Sequence, residues 1–126
     1  MGLMANILLV EDEEILRDAY SMILRSADIN VDVAKDGLEA LKLWEKDKYD
    51  IVFLDLMMPR LDGIGFLKKV KIAENPSDTK IIVFTNLSSG GNIQEALALG
   101  ADEFILKSDL SPQDLLGMVR ETVLVD

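Results

Sequence analysis

The sequence predicts an α/β fold in which a parallel five-stranded sheet is covered by helices on both faces. Strand-like and helix-like patterns alternate along the whole chain. The strongest strand candidates are short, nearly continuous apolar runs, as expected of strands buried on both faces. Breakers and cap residues separate the patterns.

The first strand is NILLV, residues 6–10. The next segment, EEILRDAYSMILRSA (13–27), sets Leu16, Ala19, Tyr20, Ile23 and Ala27 on one helical stripe. NVDVA (30–34) alternates and predicts a strand exposed on one side. After Gly37, the segment LEALKLWEKDK predicts a helix that turns Leu38, Leu41 and Trp44 inward. DIVFLD (50–55) is the third strand, and GIGFLKKVKIAE (63–74) is a helix stopped by NPSD. KIIVFT (80–85) is the fourth strand, and NIQEALALG (92–100) is a helix with Gly100 as its C-cap. EFILK (103–107) is the fifth strand. SPQDLLGMVRETVLV (111–125) opens with Ser111 as N-cap, Pro112 at the first helical position and Asp114 close behind. Its pattern turns Leu115, Leu116, Val119 and Val123 inward and leaves Met118 off the stripe. Nothing marks a linker or a repeat, so residues 1–126 read as one domain.

Composition narrows the function. The chain has no cysteine and no histidine, which excludes disulfides, Cys/His zinc sites and any nucleophile activated by histidine. A formal net charge of -10 argues against nucleic-acid binding and suits a bound cation or a basic partner surface. MGLMANILLV carries neither a basic region nor a long apolar span, and Asn6 stands where a myristoylation signal needs Ser or Thr. No membrane segment is expected, and a cytoplasmic location is.

The chemistry gathers at the carboxyl ends of the strands. The first strand runs into Glu11 and Asp12, the third ends in Asp55, the fourth in Thr85 and the fifth in Lys107. Open α/β sheets bind ligands at that rim, where strand order reverses. If the first and third strands are neighbours, their carboxylates converge and require a cation or a proton. Mg²⁺ suits an all-oxygen site that also receives phosphate oxygens. Taken singly, Asp12 also suits a helix cap, Asp62 with Gly63 a turn, and Lys107 a solvated side chain. Together, the acids, hydroxyl and ammonium suit transfer of a phosphoryl group onto Asp55, with Mg²⁺ and Lys107 neutralising charge on the moving oxygens.

The stretches ILLVEDEE, IVFLDLMMPRLDG, KIIVFTN and GADEFILKSDL together resemble the receiver domain of bacterial two-component response regulators, of the chemotaxis Y type. That resemblance implies a flavodoxin-like (βα)5 domain with strand order 2-1-3-4-5. It implies a phosphorylatable switch whose acceptor is Asp55 and whose phosphoryl donor is a sensor histidine kinase or a histidine phosphotransfer protein. Asp12, Asp55 and the backbone carbonyl of Met57 would ligate Mg²⁺, with Glu11 completing the acidic pocket through water. Thr85 would bond a phosphoryl oxygen, Lys107 would pair with the phosphate, and Phe104 would be the aromatic switch. Pro59, Asp62 and Gly63 match the turn after the acceptor. The face built from the fourth helix, fifth strand and fifth helix would meet a downstream target or a second copy.

Two residues depart from the family pattern. Ser108 follows Lys107 where the family has proline after a cis bond, and Asn86 follows Thr85 where a small residue is usual. The Lys107–Ser108 bond is nevertheless expected to be cis, so that the lysine reaches the phosphate. The resemblance implies that Met57 and Leu87 would flank the approach of water to the phosphoryl group, so slow self-dephosphorylation is expected. A phosphorylation-independent interaction module with a retained acidic pocket is the competing reading. An aspartyl phosphohydrolase is disfavoured, because the acid/base position of that chemistry holds Met57. The domain is not expected to be an enzyme beyond its own phosphorylation and dephosphorylation.

Overall fold

The structure is a computed structural model that describes residues 5–72, 78–86 and 90–123. Among these, five strands alternate with five helices. In chain order they are β1 (Asn6–Val10), α1 (Glu14–Ser26), β2 (Asn30–Ala34), α2 (Gly37–Lys46), β3 (Ile51–Asp55), α3 (Gly63–Val70), β4 (Lys80–Thr85), α4 (Gly90–Ala98), β5 (Glu103–Leu106) and α5 (Pro112–Thr122). All pairings are parallel, and the sheet order is β2-β1-β3-β4-β5. The fold class and strand order are those expected.

The apolar runs explain why the sheet is central. In β1, β3 and β4 successive side chains point to opposite faces, and both faces are covered. Leu8, Val10, Val52, Leu54, Ile81 and Val83 pack with Ala40 of α2, Phe66 and Leu67 of α3, and Ala96 of α4. Ile7, Leu9, Ile51, Phe53, Ile82 and Phe84 pack with Tyr20 and Leu24 of α1 and with Leu115 and Val119 of α5. The Tyr20 hydroxyl donates to the Leu110 carbonyl at 3.1 Å, which ties α1 to the segment entering α5.

Local signals hold at several ends. Ser111 and Asp114 form a reciprocal capping box at α5, with Pro112 in the first turn. Gly100 follows α4 with φ 113°, the backbone expected of a glycine cap. Four expectations need correction. Leu38 is exposed rather than inward, because α2 faces the core through Ala40, and Leu38 lies roughly 160° around the helix from it. Met118 is half-buried, its flexible thioether packing against the α1/α5 side of the sheet. Helix α3 stops at Val70, where Lys71 takes a left-handed backbone (φ 52°) as its cap. Strand β5 stops at Leu106, and Lys107 opens a 3-10 turn that runs to Asp109. Residues 73–77 and 124–126, which include the ends of two expected helices, lie outside the described residues.

The junction of β3 with α3 sets the rim of the site. A Cβ on Gly63 would lie 2.5 Å from the Asp55 carbonyl oxygen and 2.9 Å from the Leu56 Cα. Only glycine lets the helix start against the end of the strand. Gly63→Ala is expected to cost about 1–3 kcal/mol of stability through overpacking. An unchanged urea midpoint would show that the loop yields freely.

Candidate functional site

Strands β1 and β3 are neighbours, so their carboxyl ends deliver acids to one spot. One carboxylate oxygen from each of Glu11, Asp12 and Asp55 lies within 4.8 Å of the others. Glu11 and Asp55 are buried and Asp12 is half-buried. Loss of water around carboxylates is costly unless a cation or hydrogen bonds replace it. Both replacements are present.

Lys107 supplies the first. Its Nζ stands 2.9 Å from Glu11 Oε1 and 2.9 Å from Asp55 Oδ2, with only 9% of its side chain exposed. It also lies 5.5 Å from the centre of the Phe84 ring. Backbone groups supply the rest. The Glu13 N–H donates to Glu11 Oε2 at 3.0 Å, and the Met57 N–H donates to Asp55 Oδ1 at 3.1 Å. Arg17 donates from α1 to the carbonyls of Glu11 (2.9 Å) and Asp12 (3.3 Å), pinning the turn after β1.

These contacts set the titration of the cluster. Burial pushes the Glu11 carboxyl up to about 7, against the Glu13 N–H and Lys107, which pull it down. Burial likewise raises Asp55 above the usual carboxylate range, against the opposing pull of Lys107 and the Met57 N–H. Burial alone would lower the Lys107 ammonium, but its contacts with Glu11 and Asp55 outweigh that and hold it above the ordinary lysine range. One ammonium therefore serves two buried acids, and a third acid stands beside them.

The residues singled out in the sequence fall into three groups. Glu11, Asp12, Asp55 and Lys107 are brought together at the rim. Thr85 is fully buried at the end of β4, and its Oγ1 finds no hydrogen-bond partner among the described residues. Phe104 lies apart on the edge strand, paired in register with Val83 and 45% exposed. Met57, 57% exposed, lines an open groove of about 340 Å³ with Asp12, Leu56, Met58, Pro59, Asp62 and Asn92. Leu87 lies outside the described residues.

The simpler readings of single residues divide. Asp62, which with Gly63 suited a turn, is the N-cap of α3, its Oδ1 accepting from the Gly65 N–H at 2.8 Å. Asp12 does not cap α1; the N-cap position belongs to Glu13, whose side chain makes no cap bond. The expected cis bond before Ser108 is absent, since every described peptide bond is trans. The lysine reaches the acids by another route. After Leu106 the chain tightens into the 3-10 turn, closed by the Leu110 N–H on the Lys107 carbonyl at 3.2 Å. Sequence reading missed Arg17, Phe84 and the Asp36–Arg60 pair. Only Asp36, just before Gly37 at a helix start, carries a legible cap signal.

An acidic ligand cluster able to coordinate a divalent metal is thus present. Among the described residues no helix is long and apolar enough to cross a membrane.

Comparison with known proteins agrees with this geometry. Residues 7–120 match the response regulator receiver domain. The chain is 36% identical over 114 residues to the probable transcriptional regulator ycf27 of Guillardia theta, covering 90% of this chain and 43% of that protein. It is 35% identical over 105 residues to the chemotaxis protein CheY of Listeria monocytogenes, covering 82% of this chain and 87% of that one. The chain spans less than half the length of the first curated relatives it matches. Among solved structures, CheY4 of Vibrio cholerae superposes with a TM-score of 0.82 at 31% identity, covering 96% of this chain and 100% of that one. A CheY-like receiver domain from Methanospirillum hungatei JF-1 gives 0.83 at 28% identity, covering 94% and 93%. The cluster of Glu11, Asp12 and Asp55 agrees with the aspartate-phosphorylation switch typical of CheY-like regulators. By sequence, fold and site together, the chain belongs to the receiver domain family of CheY-like two-component response regulators.

Proposed function

We propose that this chain, over residues 1–126, is one receiver domain that takes a phosphoryl group on Asp55 in a Mg²⁺-dependent reaction. The observation that carries the reading is the buried Asp55 carboxylate, held beside two further acids and a single shared ammonium. A sensor histidine kinase or a histidine phosphotransfer protein is the donor. The family comparisons support that class of partner, and the protein acts in the cytoplasm.

The donor set fits Mg²⁺, which prefers hard oxygen ligands. Asp12, Asp55 and the Met57 carbonyl would hold it, and Glu11 would join through water. The ion supplies Lewis-acid neutralisation of charge on phosphoryl oxygens when bound. The chain's own residues do the rest. The Asp55 carboxylate attacks phosphorus, an acyl phosphate forms and the donor's leaving group departs. The Met57 N–H holds Asp55 Oδ1 in place. Lys107 turns from shared counter-ion of two acids to partner of the phosphate. Thr85 Oγ1, a buried hydroxyl lacking a described partner, donates to a phosphoryl oxygen. Phe104 then moves inward and changes the face built from α4, β5 and α5, through which the domain binds its target or a second copy.

Incubation with acetyl phosphate and Mg²⁺ is expected to add one phosphoryl mass to the wild type and none to D55A. No mass gain in the wild type would instead favour a phosphorylation-independent interaction module.

Mg²⁺ at ten times its dissociation constant is expected to stabilise the fold by about 1.4 kcal/mol, because only the folded site binds it. That corresponds to a rise in Tm of roughly 5 °C for a domain of this size. D12A removes the rise and, by relieving repulsion, melts higher than wild type without the metal. Equal stabilisation in both proteins would refute the role of Asp12.

The exposed Met57 thioether neither orients water strongly nor accepts its proton, so phosphorylated wild type is expected to hydrolyse slowly. M57N is expected to lose its phosphoryl group several-fold faster under identical Mg²⁺ and pH. Equal or faster loss from wild type would show that Met57 gives no shielding.

A further inference from the structure

Asp36 is an acid with no part in the proposed chemistry, yet it is 1% exposed. It joins two elements. Its Oδ1 accepts from the Glu39 N–H at 2.9 Å and so caps α2. Its Oδ2 takes the Arg60 guanidinium as hydrogen-bond donor and ion partner. Arg60 belongs to the loop between β3 and α3, three residues after Met57. It holds a left-handed backbone (φ 66°), which a residue with a side chain rarely keeps without outside support.

The same two segments meet again one residue on. The Gly37 N–H donates to the Leu61 carbonyl at 2.7 Å, and a Cβ on Gly37 would stand 2.5 Å from that oxygen. The acceptor loop is thus pinned at both ends and in its middle. The Met57 N–H bonds Asp55 Oδ1, the Gly63 N–H bonds the Leu56 carbonyl at 3.1 Å, and Arg60 and Leu61 are fastened to the start of α2. Burial acts to raise the Asp36 carboxyl, but the Glu39 N–H and Arg60 outweigh it and hold it below the usual carboxylate range. The anion facing Arg60 persists at neutral pH.

We infer that Asp36 and Arg60 are positioning residues for the metal site: their ion pair holds the β3–α3 loop, and with it the Met57 backbone, in place for the ion. The inference rests on the proposed reading of that carbonyl as a metal ligand. A single loop carbonyl contributes to affinity only if its position is set before binding, because a mobile loop must be ordered at the expense of binding free energy. Groups that orient metal ligands from behind typically change affinity by about 10–100-fold.

Titration calorimetry with MgCl₂ on wild type, R60G, R60K, D36N and D12A tests this. Glycine adopts the left-handed backbone without strain, so R60G removes the pair and leaves the turn feasible. The Arg60 side chain is 53% exposed, so its loss opens no core. R60G is expected to bind Mg²⁺ about tenfold more weakly. R60K, which keeps a cation, falls between R60G and wild type. D36N, which keeps the helix cap and loses the charge, weakens binding in the same direction. Because Asp55 and Lys107 are untouched, saturating Mg²⁺ is expected to restore the R60G phosphorylation rate with acetyl phosphate. A merely structural loss would not be rescued in this way, and a rate that stays low at saturation overturns the positioning role. Wild-type affinity in R60G, with binding lost in D12A, also overturns it while leaving the metal site standing. Wild-type affinity in D12A as well overturns the metal site itself.

Discussion

The placement of one ammonium between two buried carboxylates governs the rim of this domain. Glu11 ends β1 and Asp55 ends β3, so the parallel pairing of those strands forces the two acids together. Neither acid is solvated enough to stand alone, and Lys107 at 2.9 Å from each is the cation that lets both stay. Removing that lysine would leave both buried acids without their cation, at a greater cost than never burying the trio. The lysine itself comes from beyond β5, the edge strand, with β4 lying between it and β3. Its passage over the Phe84 ring, and the 3-10 turn that launches it, follow from that distance.

One cation cannot balance three acids. Asp12 is only half-buried, and it faces the groove with Met57 and Asp62 rather than the lysine. The acid without an ammonium partner is therefore on the open side. This asymmetry gives the site its direction: a fixed positive charge behind Asp55 and unbalanced acid in front. The scaffold keeps that arrangement rigid. The two apolar faces of β1, β3 and β4 are packed by helices on each side, so the strand ends move little while the loops beyond them are free to differ.

Legibility in the sequence followed the range of each interaction. Strands buried on both faces declare themselves as apolar runs, and caps such as Ser111 with Asp114 are written within four residues, so both were readable. The site acids were readable for a related reason: a carboxylate that ends a core strand stands out against its neighbours. Side-chain direction at helix ends was harder. Leu38 carries the apolar signal of its helix, yet the centre of that stripe is Ala40, a small residue that a hydrophobicity pattern underweights. The family pattern implies a cis bond before residue 108, but reaching the acids does not demand that one backbone geometry. A trans bond followed by a tighter turn delivers the same atom. Arg60 and Asp36 are 24 residues apart in sequence, and nothing local to either one names the other.

The same geometry bears on how a charge change at Asp55 could reach the surface. Thr85 stands one position beyond Phe84, whose register partner across the β3–β4 pairing is Asp55 itself. It pairs on its other side with Leu106, next to Lys107. Its hydroxyl is buried with no described partner, an arrangement that costs free energy until a donor or acceptor arrives. On the proposed reading, the arriving acceptor is a phosphoryl oxygen. On that reading, satisfying it would tie the Thr85 side chain to the acceptor strand. Phe104, apolar and 45% exposed, has free energy to gain from burial. On the proposed reading, a buried hydroxyl and an exposed aromatic of the resting domain would be relieved by one event. Such a coupling would convert an added charge at the rim into a change of shape at the edge of the sheet.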